Sequence, residues 1–221
     1  MKPDPVTLPV EHFPALSALP GILHAFTGKA AGLDVKVDRA LALGRLDIHH
    51  TAARGAIGIG AKKFVIAGQV HGRDIVTVDA RTRSPVPDAD GLITADPAVC
   101  LGIYVADCCA IYLADPVRRV IALLHSGRKG TESGIATAAI ARMRAEFRCQ
   151  PADIVAQLSP CIRPPNYETD FAADIAAQCR AAGLREVHDC GTCTAEHVSR
   201  YYSYRVEKGK TGRMLALLAL R

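Results

Sequence analysis

VADCCAIYLADPVRRVIALLHSGRKG, residues Val105 to Gly130, is an apolar run, a turn, and a second apolar run that ends in a histidine and a small basic loop. Asp115-Pro116, between Ala110–Ala114 and Val120–Leu124, predicts a tight reversal joining two buried strands. Paired as a hairpin, these strands place Cys108 just before the first and His125 just after the second, at one end of a sheet. Cys109 follows Cys108 and so faces the opposite way, into packing.

Working outward, Val99–Val105, Gly91–Thr94, Phe64–Ala67 and Ile22–Thr27 are short apolar runs that read as strands, and Asp74–Asp79 is a further one. Asp38–Gly60 has helical spacing, weakened by Gly44 and Gly55. On the other side Thr131–Phe147 reads as one helix, capped by Thr131 or Ser133, with Ile135, Ala138, Ala139, Met143 and Phe147 inward. Asp153–Leu158 is a strand, Asp170–Ala182 a helix stopped by Gly183, and His188–His197 a polar, thiol-rich connection. Tyr201–Arg205 and Met214–Leu220 read as closing strands around the Gly209–Gly212 turn, and residues 1–20 as an extended Pro-rich lead-in. No internal repeat or linker interrupts the pattern. The expected fold is α/β: a single domain over residues 1–221, a mixed β-sheet sandwiched with helices.

Of the 221 residues, 49% are hydrophobic and 22% charged, enough to fill a core, while 5% aromatic and no Trp leave small aliphatics to fill most of it. The charge of +5 comes without a basic tract or basic–aromatic alternation, so nothing beyond charge points to nucleic acid, and an anionic small molecule is an equally good reason for the positive excess. The N-terminus has no apolar signal core, and the longest apolar run, Met214–Leu220, is too short for a membrane span. A cytoplasmic location is the expectation, and the eight cysteines are then thiols or metal ligands, not disulfides.

His71, Cys108 and His125 each sit at a strand edge beside small residues. One thiolate and two imidazoles suit zinc, and three protein ligands leave a fourth position for water or substrate, the pattern of catalytic sites. Asp107 stands beside them as a supporting group or a base. The plainer alternative is an inert buried Cys108 with two histidines that cap strands. A rival cluster, His188, Cys190, Cys193 and His197, offers four ligands within ten residues, but lacks the separated pairs that let a chain wrap an ion. Its expected reading is surface-loop thiols. His125-Ser-Gly-Arg-Lys-Gly130 leads into a helix, where Arg128 and Lys129 can hold an anion or form a solvated turn; Arg213 adds a further guanidinium or closes a hairpin. His12, His24, His49 and His50 are read as structural or solvated.

In order, Gln69-Val-His71-Gly72, Ala89-Asp-Gly91, Ala106-Asp-Cys108, His125 with Gly127 and Gly130, Pro160-Cys-Ile162, Cys193-Thr194, Tyr202-Ser-Tyr-Arg205 and Thr211-Gly-Arg213 resemble the laccase-domain family, also called YfiH-type or multicopper polyphenol oxidase-like proteins. The resemblance implies a zinc site at His71, Cys108 and His125; Asp107 beside it, and Gln69, Arg128, Lys129 and Arg213 as substrate or anion contacts, complete the candidate residues. It implies purine nucleoside phosphorolysis, with adenosine, inosine or methylthioadenosine and phosphate as the small-molecule partners, and adenosine deamination as a second activity. Some bacterial members look instead like amidases acting on cell-wall precursors, and a diverged metal-binding protein without catalysis is the non-enzyme alternative. Copper fits less well than zinc, since the eight histidines form no His-x-His pair. No nucleic-acid or membrane partner is implied, and a monomer or homodimer is expected. Two departures stand out: the family's His-Ala-Gly-Trp-Arg-Gly reads His-Ser-Gly-Arg128-Lys129-Gly, and its Ser-Leu-Asn-Leu-Gly stretch has no counterpart between Thr27 and Asp47.

Overall fold

The computed structural model describes residues 8–221; the first seven residues of the expected lead-in lie outside the described residues. In chain order the elements are β1 (Val10–Glu11), α1 (Pro14–Ser17), β2 (Ile22–Thr27), α2 (Arg39–Ala56), β3 (Lys63–Ile66), β4 (Ile75–Thr77), β5 (Gly91–Thr94), β6 (Val99–Val105), β7 (Cys109–Asp115), β8 (Val120–Ser126), α3 (Arg128–Glu132), α4 (Ile135–Phe147), β9 (Val155–Leu158), α5 (Phe171–Ala181), β10 (Glu186–Asp189) and β11 (Met214–Leu220), with a 3-10 turn at Pro151–Asp153. The α/β class holds, but the strands form two mixed sheets rather than one. The first has the order β1-β2-β11-β6-β3 and the second β10-β9-β7-β8-β5-β4.

The decisive hairpin forms as its residues dictate. β7 and β8 pair antiparallel from Cys109 opposite Ser126 to Asp115 opposite Val120, and Asp115 Oδ1 accepts the Val117 and Arg118 N–H groups to fix the turn. His125 lies within β8 rather than after it. Ala110 pairs with His125, so Cys108, two residues before Ala110, addresses the same face as the imidazole.

Between the sheets, Phe26, Leu101, Ile103, Met214, Ala216 and Leu218 meet Ala110, Tyr112, Ala114, Ile121 and Leu123 in one buried layer. Each large aliphatic there contributes about 1.5–3 kcal/mol of burial. Tyr112 satisfies its hydroxyl across the layer by donating to the Ala25 carbonyl at 2.8 Å. The outer face of the second sheet, with Cys109, Ile111 and Leu113, is covered by Ile135, Ala139, Ile140 and Met143 of α4 and Phe171, Ile175 and Cys179 of α5. Cys109 is therefore core, as its position beside Cys108 requires. On the first sheet's other face, α2 sets Arg54 over the Phe64 ring at 4.2 Å and His50 beside Tyr104 at 5.5 Å. Asp38 and Asp170 cap α2 and α5 by accepting the Leu41 and Ala173 N–H groups. No helix of the described residues is long and apolar enough to cross a membrane.

The lead-in is not extended throughout, since Pro14–Ser17 forms α1 with Pro14 in its first turn, and three further segments depart from expectation for local reasons. The helix expected over Thr131–Phe147 begins at Arg128 and is broken between α3 and α4, where Gly134 takes a left-handed φ of 75° that favours glycine. Tyr201–Arg205 forms no strand, because its polar groups turn to a side chain: Ser203 Oγ and the Arg205 N–H both donate to Asp107. Glu186–Asp189, expected partly as connection, pairs parallel with β9 as an edge strand.

Two core histidines give the fold an acid limit. Burial holds His24 down to about 4, helped by the charge of His12, and its Nε2 accepts the Phe13 N–H at 2.7 Å. Burial likewise holds His50 down to about 4, against an opposing pull from the Arg213 backbone, and neither ring nitrogen completes a hydrogen bond. Both rings must fold neutral, so the stability they permit is full above about 6.5 and is lost as pH falls toward about 4. Urea midpoints should drop steadily from pH 7 to pH 4.5, and His50→Phe should flatten part of that slope.

Candidate functional site

The chain crosses between the two sheets several times, and three crossings converge at one end of the molecule. β3 to β4 carries Gln69 and His71, β6 to β7 carries Asp107 and Cys108, and β10 to β11 carries Tyr204 through Arg213. Gln69, His71 and Asp107 all take left-handed backbone conformations, φ 61°, 63° and 78°. Non-glycine residues rarely sit there, and such strain gathers at sites the surrounding structure over-determines.

What holds these corners is a set of buried polar side chains. Asp90, fully buried, accepts the His71 N–H and His125 Nδ1–H at Oδ1 (3.0 and 2.7 Å), and the Val70 and Gly72 N–H groups at Oδ2 (3.1 and 2.7 Å). One carboxylate thus fixes both the loop that carries His71 and the ring of His125. Asp107 pins the second corner: Thr194 Oγ1 donates to Oδ1 at 2.7 Å, and Ser203 Oγ and the Arg205 N–H donate to Oδ2 at 3.1 and 2.7 Å. Both of its oxygens are engaged, which favours a supporting role over that of a base. Gln69 bridges to β6, its Nε2 donating to the Tyr104 carbonyl at 2.6 Å and its Oε1 accepting the Tyr104 N–H at 3.0 Å. With its amide committed to Tyr104, Gln69 supports the loop rather than reaching for a ligand.

His71, Cys108 and His125 come together as read, with one ligand atom from each and all three within 4.8 Å of one another. The rings stand nearly perpendicular, 4.8 Å between centroids and 80° apart. Burial pushes the Cys108 thiol up, but the charge and hydrogen bond of His125, with a hydrogen bond from His71, outweigh it and bring it down to about 6. Burial would lower His125, yet the Cys108 thiolate and Asp90 raise it to about 9. A thiolate facing two imidazoles, with the Nδ1 of one ring already taken by a carboxylate, is the donor set and support that a divalent metal such as zinc requires. Room for the sulfur depends on Gly127, where a Cβ would lie 2.8 Å from Cys108 Sγ. Gly127→Ala should leave the circular dichroism spectrum unchanged while elemental analysis finds the chain stripped of most of its metal.

The triad opens on a cavity of about 900 Å³. Tyr104, Tyr167, Phe171 and Tyr204 line it, in a chain with only eleven Phe and Tyr in all. The same walls hold Arg39, Arg128, Lys129, Arg205, Lys208 and Arg213. Arg205 pairs with Glu168 at 2.5 Å and lies over the Tyr167 ring, and Arg128 lies 3.7 Å from Glu132. Arg128, Lys129 and Arg213 were legible as cations of the site; Arg39, Lys208, the aromatic wall and the role of Asp90 were not. An Asp directly before the apolar strand Gly91–Thr94, within the Ala89-Asp-Gly91 match, is the signal that could have found the role of Asp90. The rival cluster does not assemble: His188 pairs with Glu186 at 3.0 Å, Cys190 is exposed, and Cys193 is buried and accepts from Asn166. Among the described residues His71, Cys108 and His125 are the one group able to hold a metal.

A profile of the family described as multi-copper polyphenol oxidoreductase laccase matches residues 45–174 and 167–221. A purine nucleoside phosphorylase of Deinococcus radiodurans is 34% identical over 232 residues, covering 89% of this chain and 88% of its own. One from Streptomyces coelicolor is 31% identical over 198 residues, covering 77% and 81%. The crystal structure of YlmD from Geobacillus stearothermophilus superposes with a TM-score of 0.82 at 24% identity, covering 95% of this chain and 94% of that one. That of YfiH from Bacillus licheniformis gives 0.81 at 21%, covering 99% and 98%.

Proposed function

From the premise that this chain belongs to the multi-copper polyphenol oxidoreductase laccase family, we propose that it is a purine nucleoside phosphorylase with zinc at His71, Cys108 and His125. The observation that carries the reading is the coincidence, in one cavity, of the His-Cys-His triad, four aromatic side chains and six cations. A purine offers a flat face to the aromatic walls, and phosphate offers charge to the cations. Relatives named purine nucleoside phosphorylase support the same reading.

In the reaction a phosphate oxygen forms a bond to the anomeric carbon as the carbon–nitrogen bond to the base breaks. The electron pair leaves with the purine, which takes up a proton, and sugar 1-phosphate remains. The cations hold the nucleophile and the aromatic faces orient the base, so much of the acceleration comes from positioning two bound reactants. Asp90 keeps the proton of His125 on Nδ1 and leaves Nε2 for the metal. When bound, zinc supplies Lewis-acid polarisation of a substrate heteroatom.

Incubation with adenosine, inosine or methylthioadenosine should release free base and sugar 1-phosphate only when phosphate is present, as chromatography of the products would record. Product formation independent of phosphate would favour the hydrolytic readings, amide cleavage or adenosine deamination. Elemental analysis of protein purified without added metal decides between zinc and copper.

A further inference from the structure

Of the six cations lining the cavity, Arg128 and Arg205 pair with carboxylates, whereas Arg39, Lys129, Lys208 and Arg213 form no ion pair among the described residues, and of these four Arg213 alone is buried. Arg213 is 9% exposed. Its Nη1 donates to the Thr211 and Gly212 carbonyls at 2.7 and 2.8 Å, and its guanidinium lies 5.9 Å from the centre of the Tyr204 ring. No carboxylate forms an ion pair with it among the described residues. Arg39, exposed at the start of α2, has neither an ion pair nor a hydrogen bond there. Both line the same cavity as the His-Cys-His triad.

Arg39 and Arg213 carry like charges into the same cavity and oppose each other there. Burial lowers the pKa of Arg213, and the charge of Arg39 lowers it further, while Tyr204, Cys108 and Asp107 pull it back. A buried cation with no carboxylate paired to it, facing a second cation, is an unfavourable arrangement in the free protein. A dianion between them reverses the sign of both terms. Arg128 and Arg205 differ in this respect, since Glu132 and Glu168 already answer their charge.

We propose that Arg39 and Arg213 together form the seat of the inorganic phosphate, in the cavity that Tyr104, Tyr204 and the Cys108 thiolate also line. The assignment rests on the phosphorylase reading and deepens it: the Arg128–Lys129 loop, where the chain departs from its family, is not the main anion site. Arg213 stays fixed by its two carbonyls, and Arg39 closes on the phosphate from the open side.

The test uses the metal-loaded full chain with Arg39→Gln and Arg213→Lys. Arg213→Lys keeps the charge and loses the planar fork, and Arg39→Gln is on the surface, so both variants should fold. With adenosine saturating, the KM for phosphate should rise by about tenfold in each, while the KM for adenosine at saturating phosphate stays within about twofold of the parent. Calorimetry with inorganic phosphate alone should show the same weakening. An unchanged phosphate KM, or an equal rise in both constants, would overturn the assignment. So would Arg-dependent binding of adenosine 5′-monophosphate without Arg-dependent binding of free phosphate, or no phosphate binding by the parent protein. If no nucleoside is cleaved yet phosphate binding is lost in both variants, the phosphorylase reading fails and the anion seat stands.

Discussion

Cys108→Ala is expected to empty the metal site and to lower phosphorolysis by on the order of a hundredfold or more, beyond the about 10–100-fold typical of changes to residues that merely support a ligand. The sulfur is the one anionic donor of the triad, and its removal leaves two imidazoles, a set that binds zinc weakly without a third anchor. His125 then loses the larger of the two charges that raise it, keeping only Asp90. The fold should survive, because Cys108 is only partly buried at the edge of the inter-sheet layer. Cys108→Ser separates chemistry from shape: a hydroxyl fits the same space beside Gly127 but does not ionise near neutral pH. Both variants should contain little zinc by elemental analysis and release little base in the presence of phosphate. Full activity in metal-free Cys108→Ala would sink the proposal, and His71→Ala offers the same test from the exposed side of the site.

Asp90→Asn should be nearly as damaging although it changes only one atom's identity. The carboxylate accepts four N–H groups, two on each oxygen. An amide nitrogen accepts none, so whichever way the side chain turns, two donors lose their partner, at about 1–3 kcal/mol each where they are buried. His125 loses its orientation if Nδ1 is abandoned, and the 69–72 loop loses its anchor if the other oxygen is. Metal affinity should fall about 10–100-fold and the thermal midpoint should drop, both measurable in one series of melts at increasing zinc. Burial raises the Asp90 carboxyl, but the bonds from His125, Gly72 and Val70 outweigh it and leave the pKa below its ordinary value. The parent's stability from this group is therefore present above about pH 4 and fades as pH falls through the lowered value, a component absent from Asp90→Asn.

Much of this was readable from residues alone. Gly91–Thr94, Val99–Val105 and Met214–Leu220 are strands at the limits their apolar runs suggest, because short aliphatic segments between turn residues have few other options. Residues 108 and 125 could be placed together because a hairpin's register is fixed by its turn, and Asp115-Pro116 fixes this one. The second sheet was not readable. β6 and β7 are consecutive, apolar and separated by only Ala106-Asp-Cys108, which sequence cannot distinguish from a link between strands of one sheet. What makes it a corner is Asp107, whose partners Thr194, Ser203 and Arg205 lie roughly ninety residues away. Arg39 was hidden for a similar reason, as the first residue of an amphipathic helix whose direction no local pattern reveals.

The corner at residues 106–108 also has a mechanical consequence. The sulfur donor and one imidazole are carried on passages from one sheet to the other, while the second imidazole belongs to the six-stranded sheet itself, so an ion at their meeting point acts as a clasp across the seam. Chelation should then loosen the protein as a whole, with amides of β6 and β7 exchanging faster together rather than the surface loops alone.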